Sequence, residues 1–315
     1  MSFWQGKKVF VTGLSGLIAQ HLISNLSDLG AEVAVFSRQK TDIPALVNPD
    51  NVFTGDISNK DDISAALIRF PAELVVHLAA QSQTSNQNIS STFQTNTLGT
   101  LHLFEAVKTL RPNTSVILAS SVAVHTRNNE YAATTYAASK QCAEIIAQNY
   151  SATNGINCMA LRLSNIYGPG DQHKGRLIPS LINAMLKQEE IQLRSHIDTK
   201  TNLLYVQDAV DGILLVGRYL MTQKRSYQAL SLCNKESVTT RDLITRLSQC
   251  LNSAASVKLN EDEQASAAYL VLPSEFLELT LGWHPQVNIE DGLEKTVNWY
   301  QHRLNEEGNH NESVS

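Results

Sequence analysis

Along the first half of the chain, short runs of β-branched and aromatic residues alternate with longer stretches whose apolar side chains recur every three or four positions. Residues 7–12 (KKVFVT), 32–37 (EVAVFS), 51–54 and 74–78 (LVVHL) are of strand length and apolar nearly throughout, as expected of strands covered on both faces. Residues 17–29, 61–68, 91–110 and 139–153 carry helical spacing, and 116–119 and 158–163 supply two more strands. This alternation predicts the α/β class, a doubly wound parallel sheet of two βαβαβ halves. Ligands of such sheets bind beyond the carboxyl ends of the strands, so chemistry-bearing residues are expected just after them.

After residue 167 the texture changes. GPGD at 168–171 marks a loop, 177–186 reads as a helix, and shorter, more polar pieces follow, with 203–206 and 227–232 of strand character and a last amphipathic helix over 289–304. The pattern predicts a main domain over 1–167 and a smaller, mainly substrate-binding α/β lid over 168–304, with segments returning to the main sheet. The polar stretch NEEGNHNESVS at 305–315 is expected to be disordered.

Composition narrows the function classes. The chain has 315 residues, 43% of them apolar and 17% charged, which is ordinary globular usage. A net charge of −5 offers no basic surface for nucleic acid. No apolar run approaches the roughly 20 residues needed to cross a bilayer, and no segment reads as a secretion signal, so no membrane partner is expected. The four cysteines (Cys142, Cys158, Cys233, Cys250) are scattered without CxxC pairing, which indicates neither a metal site nor a disulfide framework and fits reduced thiols in the cytoplasm.

The segment VTGLSGLIA at 11–19 follows the first strand and opens a helix, the context that a dinucleotide-binding turn requires. Gly13 and Gly16 let the backbone turn tightly and approach a pyrophosphate, while the amides of Ser15, Leu17 and Ile18 lie at a helix start, where donors and a partial positive charge collect. The first domain is therefore expected to bind NAD or NADP. At the end of the second strand an acid would hold the ribose hydroxyls of NAD; Ser37 and Arg38 stand there instead, which favours NADP. Asp56 and Ile57 after the third strand are expected near the adenine edge, and Leu78, Ala79 and Ala80 after the fourth are small enough to line a cofactor.

Tyr136 and Lys140 are four residues apart in YAASK at a helix start and so share one face. An ammonium beside a phenol favours the phenolate, which makes Tyr136 a usable acid or base near neutral pH. Ser121 ends the fifth strand in ILASSVAVH, where its hydroxyl is expected to hold the oxygen that Tyr136 protonates.

On these residues the chain resembles the extended short-chain dehydrogenase/reductase family of nucleotide-sugar epimerases, dehydratases and reductases. The matching pieces are TGLSGLIA, HLAAQS (77–82), NTLGT (96–100), SSVAV (120–124), YAASK, RLSNIYGPG (162–170), RLIP (176–179), YVQD (205–208) and LGWHP (281–285), in the family's order over nearly the whole chain. Its opening and RLIP are similar to CDP-glucose 4,6-dehydratases, and HLAAQS to GDP-sugar dehydratases and reductases. The resemblance implies that Ser121 positions a sugar oxygen, that Tyr136 moves the proton, and that Lys140 holds the ribose and tunes Tyr136. It adds Gln81, Asn96 and Leu163 to the cofactor residues, and assigns Gln81, Ser82, Ser121, Val122, Asn165, Arg176, Leu177 and Arg194 to a nucleotide-sugar substrate. It also implies a homodimer through 91–110 and 139–153.

This sequence departs from the family's pattern in three places. Dehydratases of the family carry acids directly after the strand-end hydroxyl; Val122 and Ala123 stand there and exchange no proton, which disfavours elimination. His125 replaces a usual tyrosine. Thr201 and Asn202 occupy the place of an Arg-Asp pair that clamps the diphosphate, leaving Lys174, Arg176, Arg194 and Lys200 as replacement cations. The expected activity is reduction of a 4-keto nucleotide sugar, with epimerisation by a retained cofactor, 4,6-dehydration and non-catalytic dinucleotide binding as alternatives.

Overall fold

The computed structural model describes residues 2–39, 46–82, 88–125, 134–193, 196–223, 227–253, 256–258 and 272–312. In chain order the elements are β1 (Lys8–Thr12), α1 (Leu17–Asp28), β2 (Glu32–Ser37), β3 (Val52–Thr54), α2 (Lys60–Arg69), β4 (Leu74–His77), α3 (Ile89–Phe93), α4 (Gly99–Leu110), β5 (Ser115–Ser121), α5 (Thr135–Asn154) and β6 (Cys158–Leu163). They continue as β7 (Asn165–Tyr167), α6 (Leu177–Lys187), β8 (Ile191–Gln192), β9 (Lys200–Tyr205), α7 (Val206–Thr222), β10 (Gln228–Leu232), β11 (Ser237–Thr239), α8 (Thr240–Leu251), β12 (Val257–Lys258) and α9 (Ile289–Glu312).

By compactness the chain divides into two units. One holds Met1–Ser164, Ala209–Leu232 and Pro273–Trp283, the other Asn165–Asp208, Cys233–Leu272 and His284–Ser315. The first is built on a seven-stranded sheet in the order β10-β6-β5-β4-β1-β2-β3, with every neighbouring pair parallel. The chain fills one side of β1 with β2 and β3, then crosses to β4 and fills the other, so the winding direction reverses between β1 and β4. That reversal opens the crevice where doubly wound sheets take their ligands. In the second unit β9 lies between β7, to which it is parallel, and β11, to which it is antiparallel.

The sheet is apolar on both faces because it is covered on both. Val9, Phe10 and Val11 of β1 are wholly buried. The Phe10 ring sits 6.3 Å from Phe36, 6.1 Å from Phe53 and 6.3 Å from Phe70, centroid to centroid, an aromatic knot under the strands that carry the glycine turn.

Four features differ from the sequence pattern. The single helix expected over 91–110 is interrupted by a π-helical turn at Gln94–Leu98, which turns Asn96 into the interior. α7 is a full helix where only short pieces are expected: Gly212 and Gly217 blur its periodicity, yet both serve packing. A Cβ at Gly212 would lie 2.6 Å from Leu232, and one at Gly217 would lie 2.9 Å from Leu74. α8 is opened by a reciprocal cap in which Thr239 and Asp242 satisfy each other's backbone amides. Finally, α9 runs to Glu312, so residues 305–312 of the stretch expected to be disordered are helical, while 313–315 lie outside the described residues. Helical hydrogen bonding propagates from the amphipathic segment before it without needing further apolar contacts.

Among the described residues no helix is long and apolar enough to cross a membrane. The Phe10→Ala variant is expected to lose about 3–5 kcal/mol of stability, because the cavity it leaves is ringed by aromatic groups that cannot collapse into it; urea denaturation of the two proteins measures the loss.

Candidate active site

The turn after β1 is shaped by one close approach. Gly13 has φ +88°, and a Cβ there would lie 2.6 Å from the Ala79 amide nitrogen, inside the backbone that leaves β4. Only glycine fits, for conformation and for space. Gly16 then caps α1 with no side-chain hydrogen bond, and the first turn of α1 carries no acid. A Cβ on Gly16 would meet nothing nearer than 3.5 Å, so the approach to the helix start is open. Ser15 and Gly16 are exposed, Ile18 is half-buried and the Leu17 side chain is packed in the core. The uncapped amides and absent acid suit a negatively charged phosphate group, so this turn fits the pyrophosphate of a dinucleotide.

Behind the turn lies a buried polar chain with a fixed proton order. Thr100 Oγ1 donates to the Asn96 carbonyl at 2.6 Å, which uses its one hydrogen. At its 3.2 Å contact with His77 Nε2 it must therefore accept, so Nε2 carries the imidazole proton. Nδ1 then accepts from Thr12 Oγ1 at 2.8 Å, and Thr12 Oγ1 accepts from the Ala79 amide at 3.1 Å. His77 thus ties β1, the exit of β4 and α4 together. Burial, helped by the nearby Lys140 charge, pushes its pKa down to about 3, so it is neutral throughout the physiological range.

Asn96, delivered by the π-helical turn, is 1% exposed. Its carboxamide accepts from the Gln81 amide at 2.8 Å and donates to the Gln81 carbonyl at 3.1 Å and to Ser139 Oγ at 2.9 Å. Ser139 Oγ in turn donates to the Tyr136 carbonyl at 2.8 Å. One amide thereby fixes the segment after β4 and the first turn of α5. Leu78, Ala79, Ala80 and Gln81 are half-buried and Ser82 is exposed. Gln81 Oε1 receives the Ser91 hydroxyl at 2.9 Å.

At the end of β2, Ser37 Oγ donates to the Gln39 carbonyl at 2.8 Å and Arg38 is exposed. Asp56, after β3, accepts from the Ser58 hydroxyl at 2.7 Å and its amide at 2.8 Å; these bonds hold its carboxyl below the usual range, with a smaller contribution from the Arg38 charge. Ile57 is buried and packs where a Cβ on Gly99 would sit.

The residues expected to transfer the proton lie at adjoining ends of β5 and α5. Ser121 Oγ caps the turn Val122–Val124 by accepting from the Ala123 amide at 3.2 Å, which leaves its own hydrogen for an incoming oxygen. Thr134 caps α5, placing half-buried Tyr136 in the first turn. Lys140 is 4% exposed and its Nζ lies 5.9 Å from the centre of the Tyr136 ring. Nζ donates one hydrogen to the Ala119 carbonyl at 2.8 Å, leaving two for other partners. Burial pushes the Lys140 pKa down to about 8, opposed by the carboxylate of Glu144. Leu163 ends β6 as a buried residue, and His125 Nε2 contacts Ser231 Oγ at 3.1 Å.

The remaining expected residues belong to the second unit. Asn165 Nδ2 donates to Thr201 Oγ1 at 2.6 Å. Arg176 Nη1 is 3.2 Å from the carboxylate of Asp171, so part of its charge is already matched, and Leu177 opens α6. Arg194 lies outside the described residues. Thr12, His77, Thr100, Ser120, Ser139, Glu144 and Arg162 complete the polar lattice, and pattern reading gives none of them a role. The signal for Glu144 is its position, four residues beyond Lys140 on the same helix face.

Residues 9–228 match the NAD dependent epimerase/dehydratase family. The chain belongs to that family. Its members use a nicotinamide dinucleotide, and the chain is an enzyme of this kind. Among curated relatives it is 26% identical over 332 residues to the CDP-glucose 4,6-dehydratase of Salmonella typhimurium, covering 95% of this chain and 92% of that one. It is 27% identical to the dTDP-4-dehydro-6-deoxy-D-allose reductase of Streptomyces bikiniensis, over 95% of this chain and 98% of that one. Among solved structures, the UDP-glucose 4-epimerase of Thermotoga maritima with UDP-glucose superposes with a TM-score of 0.83 at 21% identity, covering 94% and 99% of the two chains. The Thermus thermophilus UDP-glucose 4-epimerase with NAD gives 0.81 at 24% identity, covering 93% and 99%. Dehydratase, reductase and epimerase therefore all stand among the similar proteins, on one shared fold.

His77 gives a pH prediction. Its folded pKa lies below the value of 6.5 expected when unfolded, so between those values the unfolded chain binds more protons and stability falls as pH falls from 6.5 toward 3. Between pH 6.5 and 5, wild type is expected to lose about 1.5 kcal/mol more than His77→Asn, the slope rising toward ~1.4 kcal/mol per pH unit as the unfolded histidine becomes fully protonated; paired urea titrations at the two pH values measure the difference.

Proposed function

We propose that the protein reduces a keto group on a nucleotide-linked sugar, with NADPH as the preferred reductant. The observation that carries this reading is the end of β5: Ser121, Tyr136 and Lys140 are present, while the positions directly after Ser121 hold Val122 and Ala123. Elimination of water from a hexose needs an acid for the leaving hydroxyl and a base for the ring proton, and neither side chain can be one. Reduction needs only a proton for the developing alkoxide.

When bound, the nicotinamide dinucleotide supplies the hydride. Ser121 donates its free hydrogen to the substrate oxygen and so fixes that oxygen beside the proton donor. Tyr136 gives its phenolic proton to the same oxygen as negative charge develops on it. Lys140 holds a positive charge next to the phenol and offers its two remaining hydrogens to the cofactor ribose and the proton path. The cofactor residues assigned are Gly13, Ser15, Gly16, Leu17 and Ile18 at the turn, Leu78, Ala79, Ala80, Gln81 and Asn96 near the β4 exit, and Leu163. Asp56 and Ile57 are assigned to the adenine edge.

Preference for NADP rests on Ser37 and Arg38, since β2 ends without a carboxylate to hold the ribose hydroxyls and with an exposed guanidinium suited to an added phosphate. Gln81, Ser82, Ser121, Val122, Asn165, Arg176, Leu177 and Arg194 are assigned to the substrate. A second reading, epimerisation with a retained cofactor, uses the same strand end. Stoichiometry separates the two: a reductase consumes NADPH, and an epimerase interconverts sugars with no net change in it. Tyr136→Phe is expected to reduce turnover of 4-keto nucleotide sugars by at least ~100-fold with cofactor affinity nearly unchanged. Turnover assays and cofactor titration check this, and wild-type turnover in the variant would end the reading.

We also propose a homodimer through 91–110 and 139–153, where Leu98 and Ile145 are 43% and 64% exposed and would be covered by the partner. Analytical ultracentrifugation at micromolar concentration is expected to give a dimer for wild type and a monomer for Ile145→Glu.

A further inference from the structure

Glu144 is a carboxylate held 7% exposed, with none of the roles assigned above. It stands four residues beyond Lys140 and eight beyond Tyr136, so the three share one face of α5. Its Oε1 accepts from Ser120 Oγ at 2.5 Å and from Arg162 Nε at 2.9 Å, and its Oε2 accepts from Arg162 Nη2 at 2.7 Å. Ser120 and Arg162 are register partners across β5 and β6. One side chain therefore joins α5, β5 and β6.

Two consequences meet at the active centre. The first is mechanical. Lys140 bonds the Ala119 carbonyl and Glu144 bonds the Ser120 hydroxyl, so consecutive turns of α5 grip consecutive residues of β5, directly before Ser121. Tyr136, one turn nearer the start of the helix, is carried on the same rigid pairing. The second is electrostatic. The titratable and charged groups around Lys140 are Tyr136 and Glu144 on α5, His77 on β4 and, across Glu144, Arg162 on β6, with His125 and Tyr227 beside that pair. His77 is neutral, and burial holds His125 toward its neutral form and Tyr227 toward its protonated form. Arg162 is a cation. Within this set Glu144 is the anion, and its charge opposes the loss of the buried Lys140 proton.

We propose that Glu144 is a positioning residue of the proton-transfer site: it clamps β5 to α5 ahead of Ser121 and supplies the negative charge against which the Lys140 ammonium is held. The proposal rests on the reading that Tyr136 and Lys140 move the proton. Arg162 orients the Glu144 carboxylate through a bidentate pair.

The test separates charge from clamp. Glu144→Gln keeps the shape and an acceptor oxygen but removes the charge. Lys140 is expected to lose its proton about one pH unit lower, so the pH above which turnover falls drops by about one unit, and the Tyr136 phenolate, left beside a neutral amine, forms at higher pH, with KM little changed. Tyr136 ionisation is read without turnover, as the tyrosinate absorbance that Tyr136→Phe removes. Ser120→Ala breaks one strut and leaves the charge, so kcat should fall several-fold with the pH profile in place. Because Glu144→Gln leaves the half-buried Arg162 guanidinium without its carboxylate, the double variant Glu144→Gln, Arg162→Met serves as a second probe; it removes both charges and is expected to shift in the same direction. Glu144→Asp should restore the wild-type pH midpoint. An unshifted Tyr136 midpoint in a folded Glu144→Gln or double variant would overturn the proposal, whereas full turnover in Tyr136→Phe would overturn the functional reading and leave this spectroscopic result standing.

Discussion

The backbone crossing at residue 13 is the constraint on which the rest of the site depends. The chain leaving β1 passes so near the chain leaving β4 that the Gly13 α-carbon has no room for a substituent. This closeness follows from the winding: β1 and β4 are neighbours only because the sheet reverses direction between them. Thr12 and His77 are then register partners at the two strand ends, and their side chains can bond directly. The glycine turn, the small residues after β4 and the first turn of α4 are thus placed by the same passage of backbone.

Polar groups inside the first unit act as struts, each answering a different packing need. Asn96 bonds backbone on one side and Ser139 on the other, doing for the segment after β4 what a strand pairing would do, without committing that segment to the sheet. The histidine, threonine and asparagine links are neutral and fully matched, so they add rigidity without the desolvation cost of an isolated charge. The Glu144–Arg162 pair is the exception, and its desolvation is offset by bidentate geometry and the Ser120 hydroxyl.

Much of this was legible in the pattern of residues. Continuous apolar strands, a glycine turn between strand and helix, and Tyr136 four residues before Lys140 are local signals, and each reflects a local requirement: burial on both faces, a positive φ, one helix face. The struts were not legible, because His77, Ser120 and Glu144 are joined to partners far away in sequence, and nothing in a window of ten residues distinguishes a buried carboxylate from a solvated one. α7 was obscured for a related reason: Gly212 and Gly217 look like breaks until the side chains of Leu232 and Leu74 are seen filling the space beside them. The helical course of α9 past residue 304 was missed because polar composition speaks to burial and says little of backbone hydrogen bonding.

The π-helical turn between α3 and α4 has a bearing on how this chain tolerates change in length. A wider turn is an ordinary helix holding one residue too many, so the surplus is stored there and relieved by letting Asn96 swing inward. Loss of one residue between 94 and 98 would restore unbroken helical phase and disturb the outside of the molecule little. It would also rotate Thr92, which reaches Gln81, relative to Thr100, which reaches His77. In this stretch the length of the chain, as much as the identity of its side chains, is part of the active site.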